Sequence, residues 1–265
     1  QITEEWKEEK KKYVKKSTYA AYQLLIQNHI KPYFGDLSEV NEEKVQQFVF
    51  DKLDAGLSEK TIRDIIIVLK MILKFGIKNG YLEYVQIDAK FPSKQEKKNL
   101  DVLSKADQKK FMEHLRNNFT FKNLGIFICL STGMRIGEIC GLRWCDVDTA
   151  EGVIKVRHTL QRIYIIEGET RHTELLLDTP KTANSVRDIP MSSELLKMLK
   201  SLNKVVNENY YVISNDIKPI EPRTYRNYYK KLCKQLDIPE LKFHGLRHSF
   251  ATRCIESKAD YKTVS

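Results

Sequence analysis

Near the end of the 265-residue chain lies Phe243-His244-Gly245-Leu246-Arg247-His248-Ser249-Phe250-Ala251. His244 and Arg247 are three residues apart, so a helix stacks them on one face. Leu246, Phe250, Ala251 and Cys254 form an apolar stripe on another face, through which such a helix can be pinned. A guanidinium and an imidazole held side by side can clamp an anion and donate or shuttle a proton. His-x-x-Arg is frequent by chance, and two distant segments give it weight. They are Thr132-Gly133-Met134-Arg135-Ile136-Gly137-Glu138 and Thr179-Pro180-Lys181-Thr182-x-x-Ser185-x-Arg187-x-Ile189-Pro190.

In this order the three motifs resemble the tyrosine recombinase (phage-type integrase) family, in particular the integrases of conjugative transposons. The likeness spans nearly the whole chain. It implies a site-specific DNA recombinase that cuts and rejoins strands through a 3′-phosphotyrosyl intermediate, to excise and integrate a mobile element. Attack on a phosphodiester builds negative charge on its non-bridging oxygens, which preorganised guanidiniums stabilise. By motif, Arg135 and Arg247 clamp the scissile phosphate, and His244 adds a donor or shuttles a proton. Lys181, on a strand-to-strand turn, protonates the departing 5′ oxygen, and Glu138 orients Arg135 rather than acting as a base. Ordinary readings also exist: an intrahelical ion pair for Arg135 and Glu138, a solvated turn lysine for Lys181, a structural role for His248. The register of the motifs favours catalysis. No cofactor is implied, since the protein–DNA ester retains the bond energy.

The family's nucleophilic tyrosine is expected well downstream of His-x-x-Arg, beyond a further His/Trp position. Tyr261 follows Arg247 too soon and is not nominated, so the nucleophile is expected outside this chain, which by itself should not cleave. An amino-terminal arm domain of many relatives is likewise expected before Gln1. A non-catalytic DNA-binding protein that keeps the fold is the alternative reading. A type IB topoisomerase shares the chemistry, but the compact size weighs against it.

Composition sets the outer bounds. Hydrophobic residues make up 42% of the chain, the net charge is +10 and the pI is near 9.2. The charge favours a polyanionic partner without naming one. No run approaches the roughly 20 apolar residues of a membrane span, and Gln1 to Lys16 lacks the apolar core of a signal peptide. Five cysteines, Cys129, Cys140, Cys145, Cys233 and Cys254, read as reduced thiols in a cytoplasmic protein. Their spacing suits no zinc site. Neither an acidic two-metal cluster nor a phosphate-binding Gly-x4-Gly-Lys loop is present.

The elements that must carry these residues follow from periodicity. Residues 1–92 read as all-helical and resemble the family's core-binding domain, through His29-Ile30-Lys31-Pro32-Tyr33-Phe34-Gly35 and Gly56-Leu57-Ser58-x-x-Thr61-Ile62. Ile2 to Lys16 reads as a solvated helix or an arm. Thr18 to Ile30 is an amphipathic helix that Pro32 and Gly35 should end. Asn41 and Ser58 are N-cap candidates, and Gly56 and Gly80 are stops. Lys15, Lys16, Lys60 and Arg63 sit near helix starts, where free N–H groups also attract phosphates; a plain basic surface reads as well.

Residues 93–101 are polar and aperiodic, a linker between domains 1–92 and 102–265. In the second domain Ser104 caps a helix, and Leu124 to Leu130 is a buried helix. Val153 to Val156 is a strand, and residues 159–175 make a hairpin insertion turning at Gly168. Ser193 to Leu202 is helical. Pro222 to Lys231 is a basic helix in which Arg223 and Arg226 suit DNA and Tyr228 and Tyr229 suit the core. The expected fold is mainly α with a small antiparallel sheet: a helical core-binding domain followed by an α+β catalytic domain. Expected partners are double-stranded DNA, further copies of the chain as a dimer to tetramer on DNA, and an accessory DNA-bending or directionality protein.

Overall fold

A computed structural model describes residues 1–92, 102–168, 170–179 and 186–257. The expected linker 93–101, Lys181 and Tyr261 lie outside the described residues. The chain divides into two compact units, Gln1–Lys97 with Ile163–Glu174, and Lys98–Arg162 with Leu175–Ser265.

The first unit is helical. Helix α1 (Ile2–Lys11) is no solvated arm: Trp6 is 1% exposed and sits 5.7 Å, ring to ring, from Tyr22. One bulky indole anchors an otherwise charged helix, so counting apolar residues underestimates its burial. Helix α2 (Lys16–Leu25) runs through a π-helical turn, Ile26–Ile30, into α3 (Lys31–Phe34). Pro32 therefore does not end the helix as expected. It falls in the first turn of α3, where its absent N–H is tolerated, and the wide turn before it relieves the ring's clash with the preceding carbonyl. Gly35, at φ +48°, makes the stop.

Asn41 caps α4 (Glu42–Asp54) by accepting from Lys44 N–H at 2.8 Å. Ser58 caps α5 (Glu59–Lys78) through Thr61 N–H. The apolar faces of these helices meet around Phe34, Phe48, Ile62, Ile65, Leu69 and Ile72. Two hydrogen bonds between Gln46 and Lys90 tie the segment after α5 back onto α4.

In the second unit Ser104 caps α6 (Lys105–Asn117), and α7 (Phe121–Thr132) is buried along nearly its whole length. After α8 (Ile136–Gly141), strands β1 (Val147–Asp148) and β2 (Val153–Val156) pair antiparallel. The hairpin β3 (Thr159–Glu167) and β4 (Thr170–Asp178) forms its own two-stranded sheet. Strand β5 (Arg187–Pro190) then pairs antiparallel with β2, placing Arg187 opposite Val156 and Ile189 opposite Ile154. Helices α9 (Ser193–Leu202), α10 (Pro222–Gln235) and α11 (His244–Glu256) complete the unit. Its core gathers α7 with Phe111, Trp144, Ile154, Tyr225, Tyr229, Phe243 and Leu246. The fold is thus mainly helical with small antiparallel sheets.

The hairpin is divided between the units. Its distal half, Ile163–Glu174, clusters with the first unit rather than with the rest of residues 102–265. There Ile163 and Ile166 are buried, and Gln23 Nε2 donates to the Ile166 carbonyl at 3.2 Å.

Candidate active site

Arg135 is positioned by a break in the chain. Gly133 ends α7 in the left-handed conformation, φ +66° and ψ 18°, which L side chains adopt at a cost. Arg135 is therefore the N-cap of α8 rather than a residue within it, a difference from the expected helical pair with Glu138. Glu138, on the first turn of α8, accepts from the Arg135 backbone N–H at 2.8 Å and from its Nη1 at 2.9 Å. Gly137 lets this turn approach β3: a Cβ there would lie 2.6 Å from Thr159 Oγ1 and 2.9 Å from the Leu160 carbonyl oxygen.

Arg247 comes from α11, whose Leu246 is fully buried against the core. Its Nη1 donates to the Gly133 carbonyl at 2.6 Å, and Phe250, one turn on, packs directly over Gly133. One backbone turn thus sets both arginines. His244 opens α11 on the same face and is exposed, and its ring lies edge-on to that of His248 at 4.6 Å.

Arg187 was quoted in its motif but given no role from sequence, and the structure brings it into the cluster. Its Nη1 and Nη2 donate to the two oxygens of Glu138 at 3.0 and 2.9 Å. The signal was legible in the alternation of β5, where Arg187 shares a face with Ile189, which packs on the core. Arg157 steadies this strand by donating to the Arg187 carbonyl at 3.2 Å.

The electrostatics follow from one carboxylate among three guanidiniums. Burial alone would raise the Glu138 carboxyl, but hydrogen bonds from Arg187 and Arg135 outweigh it and hold the group below the usual range. Glu138 is 3% exposed, so the pairs act in a poorly solvated place. Arg247 is lowered from its ordinary value, first by burial and then by the charges of Arg135 and Arg187. Partial burial of its ring, and then the charges of His248, Arg247 and Arg135, lower His244 from its ordinary value. The site carries excess positive charge, suited to a phosphodiester monoanion that gains further negative charge in the transition state.

The residues expected at DNA divide differently. Lys60 is exposed in the first turn of α5, and Lys15 is the half-buried N-cap of α2. Lys16 pairs with Glu174, while Arg63 bonds Glu59 and lies 3.9 Å over the Phe91 ring. On α10, Arg223 and Arg226 are exposed, whereas Tyr225 and Tyr229 are fully buried. The Tyr228 hydroxyl donates to Asn123 Oδ1 at 2.5 Å, so both tyrosines assigned to the core face it.

Among the described residues no group of His, Cys, Asp and Glu is arranged to hold a metal ion, and no helix is long and apolar enough to cross a membrane.

The phage integrase family profile matches residues 101–265, and the profile for the phage integrase N-terminal SAM-like domain matches residues 1–51. A tyrosine recombinase XerC-like protein of Caldanaerobacter subterraneus subsp. tengcongensis is 28% identical over 278 residues, covering 95% of this chain and 70% of its own. The ICEBs1 integrase of Bacillus subtilis is 24% identical, covering 94% and 69%. Among solved structures, the Tn1549 transposon integrase in complex with a circular intermediate DNA superposes with a TM-score of 0.75 at 21% identity, over 99% of this chain and 89% of that one. The chain belongs to the phage integrase family, the tyrosine recombinases.

Proposed function

We propose that the chain carries the phosphate clamp of a site-specific DNA recombinase that moves a mobile element between duplexes. The observation that carries this reading is that the Gly133 turn sets Arg135 and Arg247 while Arg135 and Arg187 share the buried Glu138 carboxylate, with His244 beside them. Arg135 and Arg247 bind the non-bridging oxygens of the scissile phosphate. A tyrosine oxygen bonds to phosphorus as the 5′ oxygen departs, and Lys181 gives that oxygen its proton. His244 assists as a donor or proton shuttle. The 3′-phosphotyrosyl ester keeps the energy needed for rejoining, so no cofactor takes part.

Among the described residues no tyrosine is assigned as the nucleophile. Lys15, Lys16, Lys60, Arg63, Arg223 and Arg226 contact the duplex backbone, and for Lys16 and Arg63 this exchanges Glu174 and Glu59 for phosphate. Exchange between two duplexes requires four strand cuts, so copies of the chain assemble on DNA as dimers and tetramers, with an accessory DNA-bending or directionality protein assisting. The cytoplasm is where such DNA is met. A protein that merely occupies sites has no use for a buried carboxylate holding guanidiniums at the surface, which disfavours the non-catalytic alternative.

Covalent capture tests the reading. A nicked duplex bearing the element's end is incubated with this chain, and with the longest reading frame that contains it, and run on denaturing gels. The expected result is an adduct from the longer protein that Arg247→Ala abolishes. Tight, specific binding with no adduct from either protein would sink the recombinase reading.

A further inference from the structure

A carboxylate can accept about four hydrogen bonds, and Glu138 makes all of them. Oε1 accepts from Nη1 of Arg135 at 2.9 Å and of Arg187 at 3.0 Å. Oε2 accepts from the Arg135 backbone N–H at 2.8 Å and from Arg187 Nη2 at 2.9 Å. Arg187 therefore takes the two-toothed edge of the carboxylate, and Arg135 gives it one side-chain bond. Arg135 keeps about half its side chain exposed, at 48%.

We propose that Arg187 is a positioning residue: by filling one acceptor site on each oxygen of Glu138, it keeps that carboxylate from capturing the whole fork of Arg135, whose remaining N–H groups stay turned toward the scissile phosphate. The proposal rests on the recombinase reading. Its physical basis is competition. An arginine beside a buried carboxylate pairs fork to fork when both oxygens are open. Without Arg187, Glu138 has two open acceptor sites in a place 3% exposed, where an unmade hydrogen bond is costly. Arg135 already touches Oε1 and satisfies the second site by rotating inward, which withdraws it from substrate. Direct phosphate contact by Arg187 is a poorer account, because two of its five N–H donors are committed to Glu138 and its side chain is 26% exposed against 48% for Arg135.

The charged and titratable groups around Glu138 are Arg135 before α8, Arg187 on β5, Arg247 on α11 and the Cys129 thiol on α7. Among the described residues only Arg135 and Arg187 bond it directly.

Two measurements test the proposal. In the chain itself, the carboxyl of Glu138 is titrated by 13C NMR in wild type, R187A and R187K. R187A should raise its midpoint by about 1 unit or more and slow the rotation of the Arg135 guanidinium, with R187K intermediate. An unchanged midpoint and a still freely rotating Arg135 would overturn the idea, whether or not the protein cleaves DNA.

In the cleaving protein, single-turnover adduct formation is measured at saturating DNA. R187A should slow it by about 10²-fold with little change in DNA affinity, and should add almost nothing in an E138Q background. A loss of affinity instead of rate, or full additivity with E138Q, would mean direct phosphate contact. If wild type forms no adduct while the NMR shifts appear, the recombinase reading fails and the competition for Glu138 stands.

Discussion

Glu138 stays ionised in a buried position because two arginines bring it more than burial takes away. Glu138→Ala leaves Arg135 and Arg187 without their counter-charge. Breaking such a pair costs about 3 kcal/mol, measurable by urea denaturation at pH 7. The pH dependence has a definite sign. The folded carboxyl titrates below its unfolded value of about 4.3, so the unfolded chain takes up the proton first as pH falls. This stabilisation is whole above about pH 4.3 and is lost as pH drops through the folded value. Denaturation midpoints of wild type should therefore fall on acidification below pH 4 more steeply than those of Glu138→Gln, and parallel curves would contradict the pairing.

At the scale of elements, Gly133 joins α7 to Arg135 and holds Arg247 through its carbonyl. A Cβ there meets Phe250 Cδ1 at 2.6 Å and must be borne at φ +66°. Gly133→Ala should cost roughly 1–3 kcal/mol and, in the cleaving protein, should slow strand cleavage beyond what the lost stability explains, because the Arg247 anchor moves. Helix α1 gives a second case. Trp6 is buried among core residues of the first unit, so Trp6→Ala should destabilise that unit by about 3–5 kcal/mol. A solvated arm would lose almost nothing, and thermal melting separates the two. The caps at Asn41, Ser58 and Ser104 were legible because each is a local bond to an N–H three residues on. The burial of Trp6 was not, since one indole among charged residues leaves no periodic signature.

Across the whole molecule, two separate cores and a net charge of +10 set the behaviour. Duplex binding should weaken with salt at a slope of about −0.9 per phosphate contact. Arg223→Ala and Arg226→Ala should each reduce that slope by about 1, while a salt-independent affinity would remove these residues from the interface. The distal half of the β3–β4 hairpin belongs to the first unit, with Ile163 and Ile166 buried and Gln23 bonded to Ile166. Shortening the hairpin to a tight turn after Arg162 should lower the melting temperature of the first unit. An unchanged melting temperature would show that the tip only rests there.

The linear chain by itself determined what is local or carried by a motif. Helical periodicity, capping residues, the hairpin, the strand at Val153 and the order Arg135, His244, Arg247 all depend on neighbours within a few positions or on residue types at fixed spacing. Tertiary structure decided what depends on distance through space. Pro32 proved compatible with a continuing helix because a π turn precedes it. The distal hairpin joined the first unit although it lies far downstream of that unit's helices in sequence. Arg187 lies 49 residues beyond Glu138, yet the pair forms the most buried charged contact in the site. A carboxylate's partners are whichever donors the packed core brings within about 3 Å. That proximity is a property of the assembled core, and no spacing along the chain encodes it.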